Sequence, residues 1–439
     1  MNTFFHIVWR LAILALPWQT RWFSDASLAG WPWEQGRWSI YASWIFIMAT
    51  IAIGCAVTRK AADRRSTSLI PHSTFLVFFL FLISFVFTAS RVATAQWWIH
   101  FFLLTVFAWT LIRARVSSRT VATWFVISLL PHAFLGIWQY ASQEIVAMTW
   151  FGIAAQDPSV AGVSVVEAGP MRVLRAYGGF PHPNIFGGWL AMGYVAALVL
   201  AREARTKARA VACCFVSATL SVALFLTFAR GAWIAAAVGI GIWLIDLFRT
   251  SPLQSLLRKE RNTQKFVLFA LTCSIFATGI VAVSQRQLLL SRLYPVERLE
   301  RKSLDTRRQS LKDGWQLFLA HPMFGTGPNA ELVEFVRRAN PSSEHRVSTA
   351  PIEPPHNAFL LALVDMGIVG MILLGLVVAR LIRRAGTGAC PFGHLIVVLA
   401  ILALFDHYLW SLWAGQALVA FTVLLTATSR SDTVAADIV

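Results

Sequence analysis

The stretch PPHNAFLLALVDMGIVG, residues Pro354–Gly370, carries the most informative pattern of the chain. Two prolines precede His356 and Asn357, and a long apolar segment follows at once. Because prolines keep the chain extended and delay a helix, the pattern predicts a membrane-spanning helix that begins just after them. A histidine at the mouth of such a helix can take up a proton near neutral pH. Gly367 and Gly370 predict a helix face that a neighbouring helix approaches closely.

The whole composition agrees with a membrane protein. Of the 439 residues, 57% are hydrophobic and 13% are charged, and the mean hydropathy is +0.62. These values exclude an ordinary soluble protein. Apolar runs of about 20 residues recur along the chain, which predicts an all-α, polytopic integral membrane helical bundle. We expect about twelve spanning helices, near 4–18, 38–57, 69–88, 94–112, 120–140, 183–201, 210–228, 231–248, 265–284, 356–381, 391–408 and 410–428.

The first of these spans is the weakest, since it is short and contains His6 and Arg10. Without it the count falls to eleven, and the N-terminus moves across the membrane. With twelve spans, both termini are cytoplasmic.

The basic residues predict the orientation of the bundle. The net charge of +17 could suggest nucleic-acid binding, but no nucleic-acid-binding fold is recognisable. The Lys and Arg residues instead fill alternate short loops, which the positive-inside rule places in the cytoplasm. These loops hold Arg59 to Arg65, Arg113 to Arg119, Arg202 to Arg209, Arg249 to Lys265, and Arg380 to Arg384.

The long connections therefore lie on the outer side, although they are also basic, because long loops translocate regardless of charge. The predicted organisation is an N-terminal bundle of about nine helices over 1–284, a large loop over 285–355, about three helices over 356–428, and a cytoplasmic tail over 429–439. The large loop is partly helical. We expect Ser303 to cap a helix that runs to about Ala320, with Leu304, Leu311, Trp315 and Phe318 on one face.

Metal and redox sites are not indicated. The five cysteines form no CxxC pair, and the large loop contains none, so neither a disulfide framework nor a zinc site is expected. The chain contains no DxD, HExxH or Walker sequence. The sequence therefore predicts no metal and no cofactor.

Arginines near the predicted outer face are the candidate binding residues. Arg230 lies in a connection too short to hide it, and a fixed guanidinium suits phosphate oxygens. The alternative is an interfacial arginine that extends into solvent. Arg307 and Arg308 lie on the loop helix, where a solvated helix edge is the alternative. Asp365, within the helix after His356, is either a polar packing residue or a partner of that histidine.

This set of residues resembles the O-antigen ligase and O-antigen polymerase superfamily of bacterial membrane glycosyltransferases. The family hallmark is His, then Asn, Ser or Gln, then nine residues and Gly-x-x-Gly, which His356, Asn357, Gly367 and Gly370 match. The other matching elements are Arg307 before Pro322, Gly325 and Gly327; the turn Ala229, Arg230 and Gly231; and the helix start with Arg175, Gly178, Pro183 and Asn184.

The resemblance implies transfer of a glycan from undecaprenyl diphosphate to an acceptor hydroxyl at the periplasmic face of the bacterial inner membrane, without a metal. It implies His356 as the general base and Arg230 and Arg307 as the arginines that bind the donor diphosphate. Arg175, Asn184, Arg308 and Asn357 are then candidate substrate-binding residues.

The acceptor separates the possible functions. A ligase uses lipid A–core and serves lipopolysaccharide biosynthesis, and the size of the large loop favours it. A polymerase of O-antigen or exopolysaccharide uses a second lipid-linked glycan. A lipid-linked glycan transporter is a third possibility, but it would place ionisable groups near the middle of the membrane rather than at one face.

Overall fold

The computed structural model describes residues 3–62, 71–204, 206–250, 261–294, 298–339, 353–385 and 390–436. The basic loop residues Arg64, Arg65, Arg205, Arg258 and Lys259 and residues 437–439 of the predicted tail lie outside these ranges. Within them the chain forms sixteen α-helices: α1 Thr3–Ala15, α2 Ser43–Ala62, α3 Pro71–Val86, α4 Arg91–Arg113, α5 Ser118–Ser142, α6 Pro183–Arg202, α7 Lys207–Leu226, α8 Arg230–Thr250, α9 Arg261–Ser284, α10 Arg286–Leu293, α11 Arg298–Ala320, α12 Glu331–Ala339, α13 Ala358–Ala385, α14 His394–Phe405, α15 Tyr408–Ser411 and α16 Trp413–Ala436.

Twelve of these helices correspond to the twelve predicted spans. In the described part of the chain, seven are long and apolar enough to cross a membrane: α4 to α9 and α13. Apolar segments of α1, α2, α3, α14 and α16 are shorter. The prediction of an all-α membrane bundle is confirmed, and the chain is a multi-pass membrane protein. Whether α1 spans stays a prediction, although Phe5, Trp9 and Ile13 bury one of its faces.

Helix α6 lies at the centre of the bundle. About nine tenths of the residues in its apolar stretch are buried, and the helix packs against α5, α7, α8, α9 and α14. Small residues allow this close packing at its first turns: a Cβ atom on Gly187 would lie 2.9 Å from Ala229 Cβ, and one on Gly188 would collide with the hydroxyl of Tyr408. The start of α6 is therefore held tightly between the α7–α8 turn and α15.

Three small antiparallel sheets lie in the connections. Strands β1 (Arg21–Phe23) and β4 (Ser39–Tyr41) pair around β2 (Ser27–Leu28) and β3 (Trp31–Pro32), and β5 (Val165–Ala168) pairs with β6 (Met171–Leu174). The predicted second span therefore starts late, at Ser43, because residues 39–41 are used by a sheet.

A break in α13 organises the large connection. Gly367 has φ 61° and ψ −174°, a backbone conformation that residues other than glycine strongly disfavour. The chain segment after α11 runs through this break. The amide of Ile368 donates to the carbonyl of Pro322 at 2.8 Å, and that of Gly327 donates to the carbonyl of Asp365 at 2.9 Å. The expectation of a glycine face for a neighbouring helix was wrong for Gly367, which accommodates a backbone rather than a helix.

Gly370 fits that expectation better, because a Cβ atom there would lie 3.3 Å from Leu80 Cδ1 of α3. The prediction for α11 was right at its end, Ala320, but wrong at its start. The helix is already formed at Arg298, so Ser303 does not cap it. Leu311 and Trp315 are 37% and 50% exposed. Phe318 is buried, as are Ser310 and Leu317. Gly314 allows a close contact with Pro355, since a Cβ atom there would lie 2.5 Å from Pro355 Cγ.

Candidate active site

The candidate residues gather at one end of the bundle, where α6, α8 and α13 begin and α14 ends. We call this the site end. It contains residues 353–357, residues 406–407, the α7–α8 turn, residues 175–184, α10 and α11. Direct contacts join these segments, including the Asn184 amide with Asp406 and the guanidinium of Arg230 with the carbonyl of Arg292. Segments that are far apart in sequence therefore form one site.

His356 lies between two carboxylates. Its Nε2 is 3.0 Å from Glu353 Oε2, and its Nδ1 is 3.7 Å from Asp406 Oδ1. Burial is the largest single influence and lowers the pKa of His356, but the nearby carboxylates of Asp406 and Glu353 together outweigh it and raise this pKa to about 9. The imidazole is therefore a stronger base than an ordinary histidine and is mostly protonated at neutral pH.

Asp406 is the buried anchor of this arrangement. It caps the C-terminal end of α14, and its Oδ2 accepts from Asn184 Nδ2 at 2.9 Å while its Oδ1 accepts from the His407 amide at 2.8 Å. Burial raises the pKa of Asp406, but the nearby imidazoles of His356, His407 and His182 hold it well below its usual range. The carboxylate is thus ionised, and it fixes one side of the His356 ring.

His407 stands beside His356, with ring centroids 5.5 Å apart. Burial lowers the pKa of His407 to about 4, so this ring is neutral at physiological pH. Its Nδ1 lies 2.7 Å from Ser411 Oγ, and the Ser411 hydroxyl donates to the His407 carbonyl. The two adjacent histidines therefore differ in charge: His407 is neutral, whereas His356, which lies between two carboxylates, is mostly protonated.

Arg175 and Asn184 lie behind the histidine. Arg175 is 5% exposed, and its guanidinium donates to the Thr227 carbonyl at 2.6 Å and to Asn184 Oδ1 at 2.7 Å. The Asn184 amide then donates to Asp406. Burial lowers the pKa of Arg175 to about 9. The hydrogen bonds run in sequence from Arg175 through Asn184 to Asp406, so both predicted binding residues are engaged in orienting the site.

The α7–α8 turn presents Arg230. Phe228 adopts a left-handed φ of 48°, which costs a non-glycine residue about 1–2 kcal/mol. Its carbonyl accepts from Arg292 Nε at 3.1 Å and from Arg292 Nη2 at 3.0 Å. Gly231 allows close contact with Phe405, since a Cβ atom there would lie 2.7 Å from Phe405 Cβ. This contact places the start of α8 next to Asp406.

Arg307 and Arg308 differ sharply in position. Arg307 is half-buried, and its positive charge adds to burial in lowering the pKa of Arg175 and of Arg292. The side chain of Arg308 is 78% exposed and faces Asp305 at 3.9 Å on the outside of α11. The structure thus brings Arg307 together with Arg230, Arg175 and Arg292, and it leaves Arg308 outside this group.

Asn357 and Asp365 support the helix that follows His356. Asn357 Oδ1 accepts from the Leu360 amide at 2.9 Å, and its Nδ2 donates to the Leu404 carbonyl at 3.3 Å. Asn357 therefore caps α13 and ties it to the end of α14. Asp365 is fully buried and accepts from the Asn329 amide at 3.0 Å and from Trp410 Nε1 at 2.7 Å. Of the two roles considered for Asp365, packing is the one these contacts support.

The sequence reasoning did not select four residues of the site. It placed Asp406, His407 and Arg292 on the outer side without singling them out, and it did not consider Glu353. A charged pair directly after the apolar run 394–405 was the available signal for Asp406 and His407, because an acid at the end of a membrane helix is costly without a role. Glu353 stands three residues before His356, but an extended proline segment does not show which way it points. Nothing in the sequence distinguishes Arg292 from other loop arginines.

Within the described ranges, His356, Asp406 and His407 also offer ligand atoms within 4.8 Å of one another. Asp406 already accepts from Asn184 and from a backbone amide. The four arginine charges nearby disfavour an additional cation. This electrostatic setting favours an anion at the site instead.

The fold and the site together define a multi-pass helical membrane protein with an arginine-rich, histidine-containing site at one end of its bundle. Residues 215–375 match the family model described as O-antigen ligase. The matched segment contains Arg230, Arg307 and His356, so this part of the chain is similar to the O-antigen ligase family. None of the curated proteins compared with it matches the chain.

Proposed function

We propose that this protein is an O-antigen ligase-type glycosyltransferase of the bacterial inner membrane. It would move a glycan from undecaprenyl diphosphate to a hydroxyl of lipid A–core. The observation that carries the proposal is the meeting of His356 and Asp406 with Arg230 and Arg307 at one end of the bundle. His356, Arg230 and Arg307 lie within the segment that matches the ligase family.

The arginines suit a diphosphate donor. The positive charge of Arg307 reaches Arg230 as well as Arg175 and Arg292, so the site concentrates positive charge. A diphosphate relieves this repulsion when it binds, and guanidinium groups match its oxygens with paired donors. In the transition state, negative charge grows on the leaving diphosphate, and Arg230 and Arg307 would stabilise it there. We call Arg230 and Arg307 the arginine clamp. Arg308 lies on the exposed side of α11 and is not part of it.

His356 would act as the base. The acceptor oxygen attacks the anomeric carbon, the bond from that carbon to the diphosphate oxygen breaks, and undecaprenyl diphosphate leaves with the electron pair. The hydroxyl proton passes to the histidine. Since Nδ1 faces the buried Asp406, the receiving atom is Nε2, which lies beside Glu353 Oε2. The side chain of Glu353 is 50% exposed, so the acceptor hydroxyl can displace it.

The membrane arrangement follows from the same proposal. The site end faces the periplasm, and the short basic loops at the opposite ends of the helices face the cytoplasm. Residues 1–284 and 356–428 form the transmembrane part, and 285–355 form the periplasmic loop that contains Arg307. The segment 429–439 is a cytoplasmic tail.

A reconstitution assay tests the proposal. Purified protein in lipid receives undecaprenyl-diphosphate glycan with lipid A–core, and a parallel reaction omits lipid A–core. Modified lipid A–core supports the ligase. Longer lipid-linked glycan in the parallel reaction would instead identify a polymerase, and no product with a donor of confirmed activity would count against both.

The His356→Ala variant tests the base in the same assay. We expect transfer to fall by about 10²- to 10⁴-fold, the usual contribution of general base catalysis. His321→Ala is the matched control, because His321 is also bound to a glutamate, Glu334, at 3.0 Å. Full transfer by the His356→Ala variant would refute its catalytic role.

A further inference from the structure

Arg292 grips the turn that carries Arg230. Its guanidinium donates from Nε and Nη2 to the carbonyl of Phe228, two residues before Arg230. In return, Arg230 Nη1 donates to the carbonyl of Arg292 at 3.0 Å. Arg292 is 8% exposed, whereas Arg230 is only half-buried. The buried arginine therefore holds the more exposed one from both its side chain and its backbone.

The fold fixes Arg292 independently of Arg230. Helix α10 packs against β5, and Leu288, one turn before Arg292, is buried. The hydroxyl of Tyr140 donates to Gln285, the residue before α10, at 2.8 Å. Because α10 is anchored in this way, the position of Arg292 is set by the surrounding structure, and Arg292 can impose that position on the turn.

The turn needs such support. Phe228 is in the left-handed region of φ, which a phenylalanine rarely adopts, and a carbonyl in this region must find donors. The neighbouring carbonyl, of Thr227, is held in the same manner by Arg175. Two arginines from two different connections thus fix two successive carbonyls, and Arg230 is presented three residues after the first.

We propose that Arg292 is a positioning residue for the donor diphosphate, which it affects by holding the turn Phe228–Gly231 and the guanidinium of Arg230 in their binding arrangement. This inference rests on the proposed function, since it assumes that Arg230 binds the diphosphate. Arg292 itself points at a backbone carbonyl, so its contribution passes through Arg230.

A double-mutant cycle tests the inference. The dissociation constant of undecaprenyl diphosphate is measured for the wild type, Arg230→Ala, Arg292→Met and the double variant in the same lipid. We expect Arg292→Met to weaken binding by about 10- to 100-fold, as expected when a binding group is displaced by a small distance. The double variant should then bind no more weakly than Arg230→Ala alone, because two residues that act as one unit are not additive.

Two further variants control for effects on folding. Arg286→Met removes an exposed arginine from the same helix and should leave the dissociation constant unchanged. Arg292→Lys keeps the charge but loses the two-donor contact with Phe228, so it should weaken binding partially, and it replaces Arg292→Met in the cycle if the latter does not fold.

The outcomes separate this inference from the proposed function. Additive losses in the cycle, or an Arg292 variant that binds like Arg286→Met, would overturn the positioning role and leave the arginine clamp intact. An Arg230→Ala variant with unchanged affinity would overturn the clamp itself, and the inference about Arg292 with it.

Discussion

The two carboxylates around His356 lead to a quantitative prediction about pH. Glu353→Gln keeps the shape of the side chain and a hydrogen-bond acceptor 3.0 Å from Nε2, but it removes the negative charge. A hydrogen bond to a charged group contributes about 1.5–3 kcal/mol. The side chain of Glu353 is 50% exposed, so we discount this to about 1.4 kcal/mol, which equals one pKa unit.

The base must be neutral to accept a proton, so the rate of transfer should rise with pH and level off near the pKa of His356, which is raised to about 9. In Glu353→Gln, the same curve should lie about one unit lower on the pH axis. At pH 7, the neutral fraction of the histidine, and with it this part of the rate, should increase by about tenfold.

The measurement is kcat/KM for the acceptor between pH 6 and pH 10, at saturating donor. Glu334→Gln serves as the matched control, because it removes the charge of a second glutamate that lies 3.0 Å from a histidine, His321, outside the site. Its curve should coincide with that of the wild type. A rate that falls as pH rises through about 9 would show that the imidazolium is the active form, and this would refute the assignment of His356 as base.

Three other predictions follow from positions described above. Gly367→Ala should lower the free energy of unfolding by about 3 kcal/mol, because alanine strongly disfavours the backbone conformation at this position and its Cβ would collide with the Met323 carbonyl. Gly375→Ala, in open space on the same helix, is the control and should change this free energy by less than about 1 kcal/mol. Thermal unfolding in detergent distinguishes the two variants. Arg307→Ala should raise KM for the lipid-linked donor by about 10- to 100-fold while Arg308→Ala changes it less than about twofold, and equal effects would show that the exposed arginine also binds. Protonated His356 stabilises the fold fully below its ordinary pKa of 6.5, and this stabilisation is lost as pH rises through about 9, so the midpoint of thermal unfolding should drop over that range, and less so in Glu353→Gln.

The membrane architecture could be predicted well from the sequence because it depends on local properties. Apolar length and the positions of basic residues indicate spans directly, and each predicted span has a corresponding helix in the structure. The prediction errors occur where contacts between distant segments determine the start of a helix. Residues 39–41 read as part of a membrane helix, but they pair with residues 21–23 in a sheet. Ser303 resembles a helix cap, yet α11 begins before it.

The candidate site shows the same division. Sequence motifs single out His356, Arg230 and Arg307, because residue type and spacing are visible in one dimension. Their partners are not visible in this way, since Asp406 lies 50 residues after His356 and meets it only through the packing of α14. Arg175 was recognised as part of a motif, but only the structure shows that its guanidinium donates hydrogen bonds to the Thr227 carbonyl and to Asn184 Oδ1.

Because the break at Gly367 is fixed, the number of residues between it and His356 determines where the histidine lies. His356 stands eleven positions before Gly367, and the nine positions from Ala358 onward are helical, a length of about 14 Å along α13. One end of this length is fixed where the backbone after α11 crosses the helix, and the other end must meet Asp406. One inserted residue would rotate the histidine by about 100° around the helix axis and turn it away from that carboxylate. The spacing thus sets the angle of the base as well as its depth, and it couples the helix that carries Arg307 to the helix that follows His356.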